Sequence, residues 1–167
     1  MCDLKGKKLS KKRNLISQFN RSYPDFEIHM LENDFKGESL LLAQELLKKQ
    51  KGVRTLEQEM EALQNAFDHF EELSFEGIVV VVEGNVIAFS VFSQLNSSTY
   101  DVHFEKADVN FKGAAQVINH ETAKYLKGKC QYLNKEQDLG IQGLRQAKMS
   151  YCPEMLFVPY GLMFCDS

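Results

Sequence analysis

The sequence predicts a mixed α/β domain, a central mixed sheet flanked by helices, on three observations. Segments with helical spacing of apolar residues alternate with short β-branched runs. Two of those runs, residues 77–82 and 86–92, flank Glu83-Gly84-Asn85, the composition of a hairpin turn. A chain of 167 residues that is 44% hydrophobic and 26% charged has the size and balance of one globular domain with its own core.

Each element follows from its pattern. Residues 5–22 read as a basic N-terminal helix, with Leu9, Ile16 and Phe19 near one stripe and Lys7, Lys8, Lys11, Lys12 and Arg13 around the remainder. Tyr23-Pro24 ends it, because the residue before proline avoids the helical region. Phe26, Ile28 and Met30 then alternate with Glu27 and His29, a half-buried strand. A leucine-rich helix covers residues 39–49, and Gly52 punctuates it. Thr55, with Gln58 three residues on, predicts a capping box. The helix so started carries Leu56, Met60, Leu63, Phe67 and Phe70 on one stripe and acidic residues opposite. The two hairpin strands are apolar on both faces and belong at the centre of the sheet. The strand at 100–107 sets Tyr100, Val102 and Phe104 against Asp101, His103 and Glu105; strict alternation adds Lys106 to the first group. A helix follows Gly113, with Phe111, Ala115, Ile118, Thr122 and Leu126 on one side. Residues 130–133 predict a short strand, 141–151 a short helix stopped by Pro153, and 155–164 a closing strand. The organisation is one domain over 1–167: the basic helix, a first half with the hairpin sheet (26–107), and a second half (108–167).

Composition bounds the function. No apolar stretch approaches the roughly 18 residues that cross a bilayer, and no apolar segment follows the basic start, so no signal peptide is expected. Cys2, Cys130, Cys152 and Cys165 are scattered, without a CxxC pair or a histidine at zinc spacing. Reduced thiols in the cytoplasm and no metal are the expectation. The net charge of −3 hides a segregation: residues 1–54 hold twelve of the twenty Lys and Arg, while residues 55–105 hold none and carry ten Asp and Glu. One basic face, suited to a phosphate backbone or an anionic lipid surface, and one acidic face follow.

The chemistry-bearing residues lie late in the chain. Asn134, Glu136 and Asp138 follow a strand end, where polar groups of α/β sheets meet ligands. A carboxylate there can act as general base or bind an α-ammonium group; Asp138 can equally cap the next helix. Arg145 and Lys148, three apart on one helix, share a face and suit an anion, or else pair with carboxylates. Tyr151 can hydrogen-bond in a site or pack as a core aromatic. Glu105 and Lys106 end a strand, so one of the two faces the pocket side. His29 and His120 read as surface residues.

The order of elements is similar to that of the GNAT N-acyltransferase fold. Residues 102–151 closely resemble the C-terminal domain family of phosphatidylglycerol lysyltransferases. The resemblance is carried by EKAD (105–108), Lys112-Gly113, NKEQDLG (134–140), GLR (143–145), Lys148 and Tyr151, with KGKKLSKKRN (5–14) at the start. Family members usually join two GNAT-like lobes, and this chain resembles the second. The resemblance implies a bacterial, cytoplasmic transferase, peripheral to the membrane at most. It would pass an amino acid from aminoacyl-tRNA to phosphatidylglycerol or another hydroxyl or amine, with no cofactor. It implies catalytic roles for Glu136, Asp138, Arg145 and Lys148. Asn134, Glu105, Lys106, Tyr151, Lys112 and Gly113 would bind substrate, and Lys7, Lys8, Lys11, Lys12 and Arg13 the tRNA. A homodimer or a separate N-terminal lobe would complete the site. Two rivals stand beside this reading. Residues 110–115 fall where a GNAT enzyme places its pyrophosphate loop, which would make the chain an acetyl-CoA-dependent N-acetyltransferase. A non-catalytic lobe binding RNA or anionic lipid is the other.

Overall fold

The computed structural model describes residues 3–49, 55–138 and 140–157. The expectations for Cys2, Gly52, Cys165 and residues 158–164 lie outside the described residues, and those for the Thr55 cap and Leu56 rest on side chains outside the description. The chain forms two compact units, one up to Glu136 and one from Gln137 on.

The first unit is a mixed five-stranded sheet between helices. Its elements are α1 (Ser10–Ser22), β1 (Glu27–Met30), α2 (Asn33–Lys49), α3 (Thr55–Asp68), β2 (Glu76–Val82), β3 (Asn85–Asn96), β4 (Thr99–Ala107), α4 (Ala114–Tyr125) and β5 (Tyr132–Asn134). The strands lie in chain order; β1 to β4 are antiparallel and β5 joins β4 in parallel. The apolar run of β2 feeds both faces, as a central strand must. Ile78, Val80 and Val82 pack with Phe19 of α1 and Val117 and Ile118 of α4. Val79 and Val81 pack with Leu42 of α2 and Leu63 and Phe67 of α3. Each such side chain, fully buried, contributes roughly 1.5–3 kcal/mol, which pins the helices that frame the strand ends.

Several expectations need correction. The N-terminal helix starts at Ser10, not at residue 5, after a 3-10 turn at Lys7–Leu9. Gly6 has φ +92°, which breaks helical geometry there. The leucine-rich helix starts at Asn33 rather than residue 39. The buried stripe of α4 runs through Ala114, Val117, Ile118, Asn119, Thr122 and Ala123, and Ala115 is exposed. The strict alternation expected of β4 fails because the strand bulges. Val91 pairs with Phe104 and Phe92 with Val102, which leaves His103 as an extra residue without a β3 partner. Tyr100 and Val102 therefore face α4, whereas Phe104 joins the core beside α3.

The second unit holds α5 (Gln142–Met149). Met155–Phe157, expected to open a closing strand, lie in no strand. Among the described residues no helix is long and apolar enough to cross a membrane.

Candidate functional site

The site begins where β4 and β5 part. They pair only at Thr99 with Tyr132, Tyr100 with Leu133 and Asp101 with Asn134, while β4 runs on to Ala107. The chain after β5 turns sharply. Asn134 Oδ1 accepts the Glu136 N–H at 3.3 Å, and Glu136 takes φ +51°, a left-handed conformation. Such a geometry at a non-glycine residue costs on the order of 1–3 kcal/mol and must be held by its surroundings. The turn sends Lys135 and Glu136 to different partners on β4.

Lys135 donates to both Glu105 oxygens, at 3.0 and 2.9 Å. Glu105 also accepts from Asn119 of α4, a buried amide whose Oδ1 has no hydrogen-bond partner. Burial holds the Lys12 ammonium below its usual pKa and the Lys135 charge adds to this, with Glu105 pulling the other way. Glu105 thus faces α4, apart from Asp101 and His103, with which alternation had grouped it. Lys106 is on the α3 side, in an ion pair with Glu59; the partner that a half-buried ammonium requires is present.

Glu136 meets His103. Its Oε1 lies 3.0 Å from His103 Nδ1, and the other ring nitrogen, Nε2, lies 2.8 Å from Ser93 Oγ on β3. Phe75 packs on the imidazole with ring centroids 4.9 Å apart. His103, Phe104 and Glu136 border an open groove of about 610 Å³, whose other walls include Ala62, Ala66, Leu73 and Phe75, with His69 and Glu72 at the rim. Asp101 stands beside them. Burial raises its pKa first and the Glu136 charge raises it further, while His103, Asn134 and the Val102 N–H pull it back. One ligand atom each from Asp101, His103 and Glu136 lie within 4.8 Å of one another, a spacing that a divalent cation can bridge.

The sequence reading missed Ser93, Asp101 and His103. Asp101 and His103 were visible as the polar side of a strand. Their convergence with Glu136 depends on the bulge and on the parallel register, neither of which has a local sequence signature.

In the second unit, Asp138 accepts Arg145 Nε at 2.6 Å and Nη2 at 3.3 Å, and its Oδ1 accepts the Gly140 N–H at 2.9 Å. The Arg145 hydrogen bond, followed by the Gly140 N–H, holds the Asp138 carboxyl below the usual range. No side chain caps α5, so Asp138 serves the loop rather than the helix start. Lys148 donates to the Gln137 carbonyl at 2.6 Å. Both cations thus fasten the 137–140 segment to α5. Tyr151 is half-buried just after that helix.

Gly113 opens α4 with φ +97°. A Cβ there would lie 2.5 Å from the Leu15 carbonyl oxygen and 3.1 Å from Phe19 Cβ, so α1 lies directly over this helix start. Lys112 is exposed on the preceding loop. Lys7, Lys8 and Lys11 are exposed and Lys12 is half-buried. Arg13 donates to the Leu4 and Gly6 carbonyls, tying down the segment ahead of α1.

Comparison with known proteins fits this frame. The family model described as phosphatidylglycerol lysyltransferase, C-terminal, matches residues 1–158. No curated protein matches the chain. Among solved structures, a conserved protein of unknown function from Bacteroides thetaiotaomicron is 39% identical, with a TM-score of 0.85 over 93% of this chain and 53% of that one. The chain therefore spans about half the length of that relative. A ribosomal-protein-alanine N-acetyltransferase from Brucella melitensis matches at 13% identity and TM-score 0.61, over 84% of this chain and 99% of that one. An acetyltransferase from Trypanosoma brucei matches at 12% and 0.51, over 86% and 100%. At such identities these two show the fold alone, that of a GNAT-like acyltransferase.

Proposed function

Because this chain belongs to the phosphatidylglycerol lysyltransferase C-terminal family, we propose that it is a lobe that passes an amino acid from aminoacyl-tRNA to a hydroxyl or amine acceptor, phosphatidylglycerol among them. The observation that carries the reading is Glu136. It belongs to the NKEQDLG block, yet it sits in a left-handed turn that presents its carboxylate to the groove beside His103. The groove suits an aminoacyl ester. Carboxylates at Glu136, Asp101 and Glu72 attract the α-ammonium group, and the walls at Ala62, Ala66, Leu73 and Phe75 accept an apolar stem. In this reading Arg145 and Lys148 hold the 137–140 segment of the second unit. The exposed Lys7, Lys8 and Lys11 meet the tRNA backbone, and a further lobe or a second copy completes the acceptor side.

The α4 start argues for this donor over acetyl-CoA. A GNAT pyrophosphate loop needs open backbone N–H groups at a helix N-terminus. Here α1 covers Gly113, and the Ala114 N–H is spent on the Phe111 carbonyl at 2.9 Å.

The test is transfer of a labelled amino acid from a mixed aminoacyl-tRNA pool to phosphatidylglycerol vesicles and to soluble hydroxyl and amine acceptors. The expected result is acceptor labelling, with Glu136→Gln raising the KM for the donor about tenfold, the equivalent of about 1.4 kcal/mol. Acetyl transfer from acetyl-CoA with no aminoacyl transfer would replace this reading with the acetyltransferase one. Binding of tRNA with neither reaction would leave a binding lobe.

A further inference from the structure

We propose that Ser93 is the nucleophile of this site and carries the acyl group as a covalent ester between donor and acceptor. The inference deepens the acyl-transfer reading and rests on it.

Ser93, His103 and Glu136 form a relay. His103 Nδ1 lies 3.0 Å from Glu136 Oε1 and Nε2 lies 2.8 Å from Ser93 Oγ; in the tautomer with its proton on Nδ1, the ring donates to Glu136 and accepts from the Ser93 hydroxyl. Both ring nitrogens are thereby engaged, so the proton that His103 is placed to take belongs to Ser93. A cross-strand serine–histidine pair needs no carboxylate behind the ring. This one has Glu136, brought from beyond β5 in a left-handed turn, and His103 itself is the bulged residue of β4. Two independent departures from regular backbone thus converge on one imidazole, as they do at reactive sites. Phe75 fixes the ring, and the His103 side chain is 23% exposed. Ser93 is half-buried, one side chain behind the groove wall that His103 forms.

The chemistry closes without an outside redox partner. The Ser93 oxygen attacks the acyl carbon of an activated ester as its proton passes to His103 Nε2. The bond from the acyl carbon to the donor's oxygen breaks, and that oxygen leaves with the proton from His103. An acceptor hydroxyl, or water, then gives its proton to His103 and attacks the Ser93 ester. The acyl group departs with it, and Ser93 regains its proton. Ser93 is the attacking atom and His103 its base; Glu136 is a positioning residue.

The test uses the full chain with p-nitrophenyl acetate, read by the nitrophenolate burst and by peptide mass mapping. A burst of one equivalent and one acetyl group on Ser93 are expected. Ser93→Ala abolishes both, and Ser93→Cys keeps the burst and moves the acetyl group to sulfur. His103→Ala slows the burst by about 10²–10⁴, and added imidazole restores it. Glu136→Gln slows it less, and Glu136→Asp recovers most of the loss. Acetylation of Cys130, Cys152 or a lysine in place of Ser93, or a Ser93→Ala chain that reacts at the parent rate, overturns the proposal. Aminoacyl transfer undiminished in Ser93→Ala overturns it while leaving the acyl-transfer reading intact. Ser93 acylation without loss of amino acid from tRNA upholds the nucleophile and removes the tRNA reading.

Discussion

Asp101 is where the site costs the fold stability. Its carboxyl is pushed up, first by burial and then by the neighbouring Glu136 charge, and its Oδ1 is buried without a hydrogen-bond partner. The folded chain therefore holds this proton more tightly than the unfolded chain. Stability must fall as pH rises from the ordinary carboxylate range through the raised value, and the deficit is complete above it. Asp101→Asn removes the charge and keeps the amide's ability to bond Asn134. A Tm gain on the order of 2 °C at pH 7, vanishing as pH drops below the ordinary carboxylate range, is expected in thermal melts across pH. The opposite pH trend would contradict the assignment. The same residues mark the limit of sequence reading at this scale. Glu136 and Asn134 were legible because they lie in a distinctive block. Asp101, His103 and Ser93 were not, because their shared face is created by backbone geometry rather than residue type. Asp138 and Arg145 were legible singly, the one as a base or helix cap and the other as a cation facing an anion or a carboxylate, and only the structure shows that they bond each other.

At the scale of elements, the helices and the hairpin followed from periodicity, because burial on one stripe or on two faces leaves an unmistakable pattern. What periodicity cannot express is an extra residue. The bulge at His103 reverses the facing of Phe104, Glu105 and Lys106, and with it the partners of both charged groups. Helix starts were also poorly legible: Gly6 and the 3-10 turn delay α1 to Ser10. The junction of α1 with α4 is a close contact of this layer. Gly113→Ala places a Cβ against the Leu15 carbonyl at a positive φ, and a loss on the order of 3 kcal/mol follows. Chemical denaturation reads this as a lowered midpoint with an unchanged slope. A midpoint equal to the parent's would mean that α1 does not close over α4.

For the molecule as a whole, charge sets the context of the proposed reaction. The basic residues early in the chain leave Lys7, Lys8 and Lys11 exposed, while Lys12 and Arg13 turn to partners within the first unit. These three are the exposed lysines between residues 7 and 13. Replacing all three by alanine should reduce the slope of log affinity for tRNA against log salt by roughly 2–3; an unchanged slope would place the tRNA on another surface. The chain spans about half of its 39%-identical relative. The proposed donor binding and acylation draw on Ser93, Asp101, His103 and Glu136, all within the first unit. The most direct measurement is single-turnover loss of amino acid from aminoacyl-tRNA, comparing the parent chain with Glu136→Gln at matched folding. Release with an acceptor present, at least about tenfold slower in the variant at subsaturating donor, is what the groove predicts. Equal rates in the two chains, or an aminoacyl bond that persists in both, would contradict it.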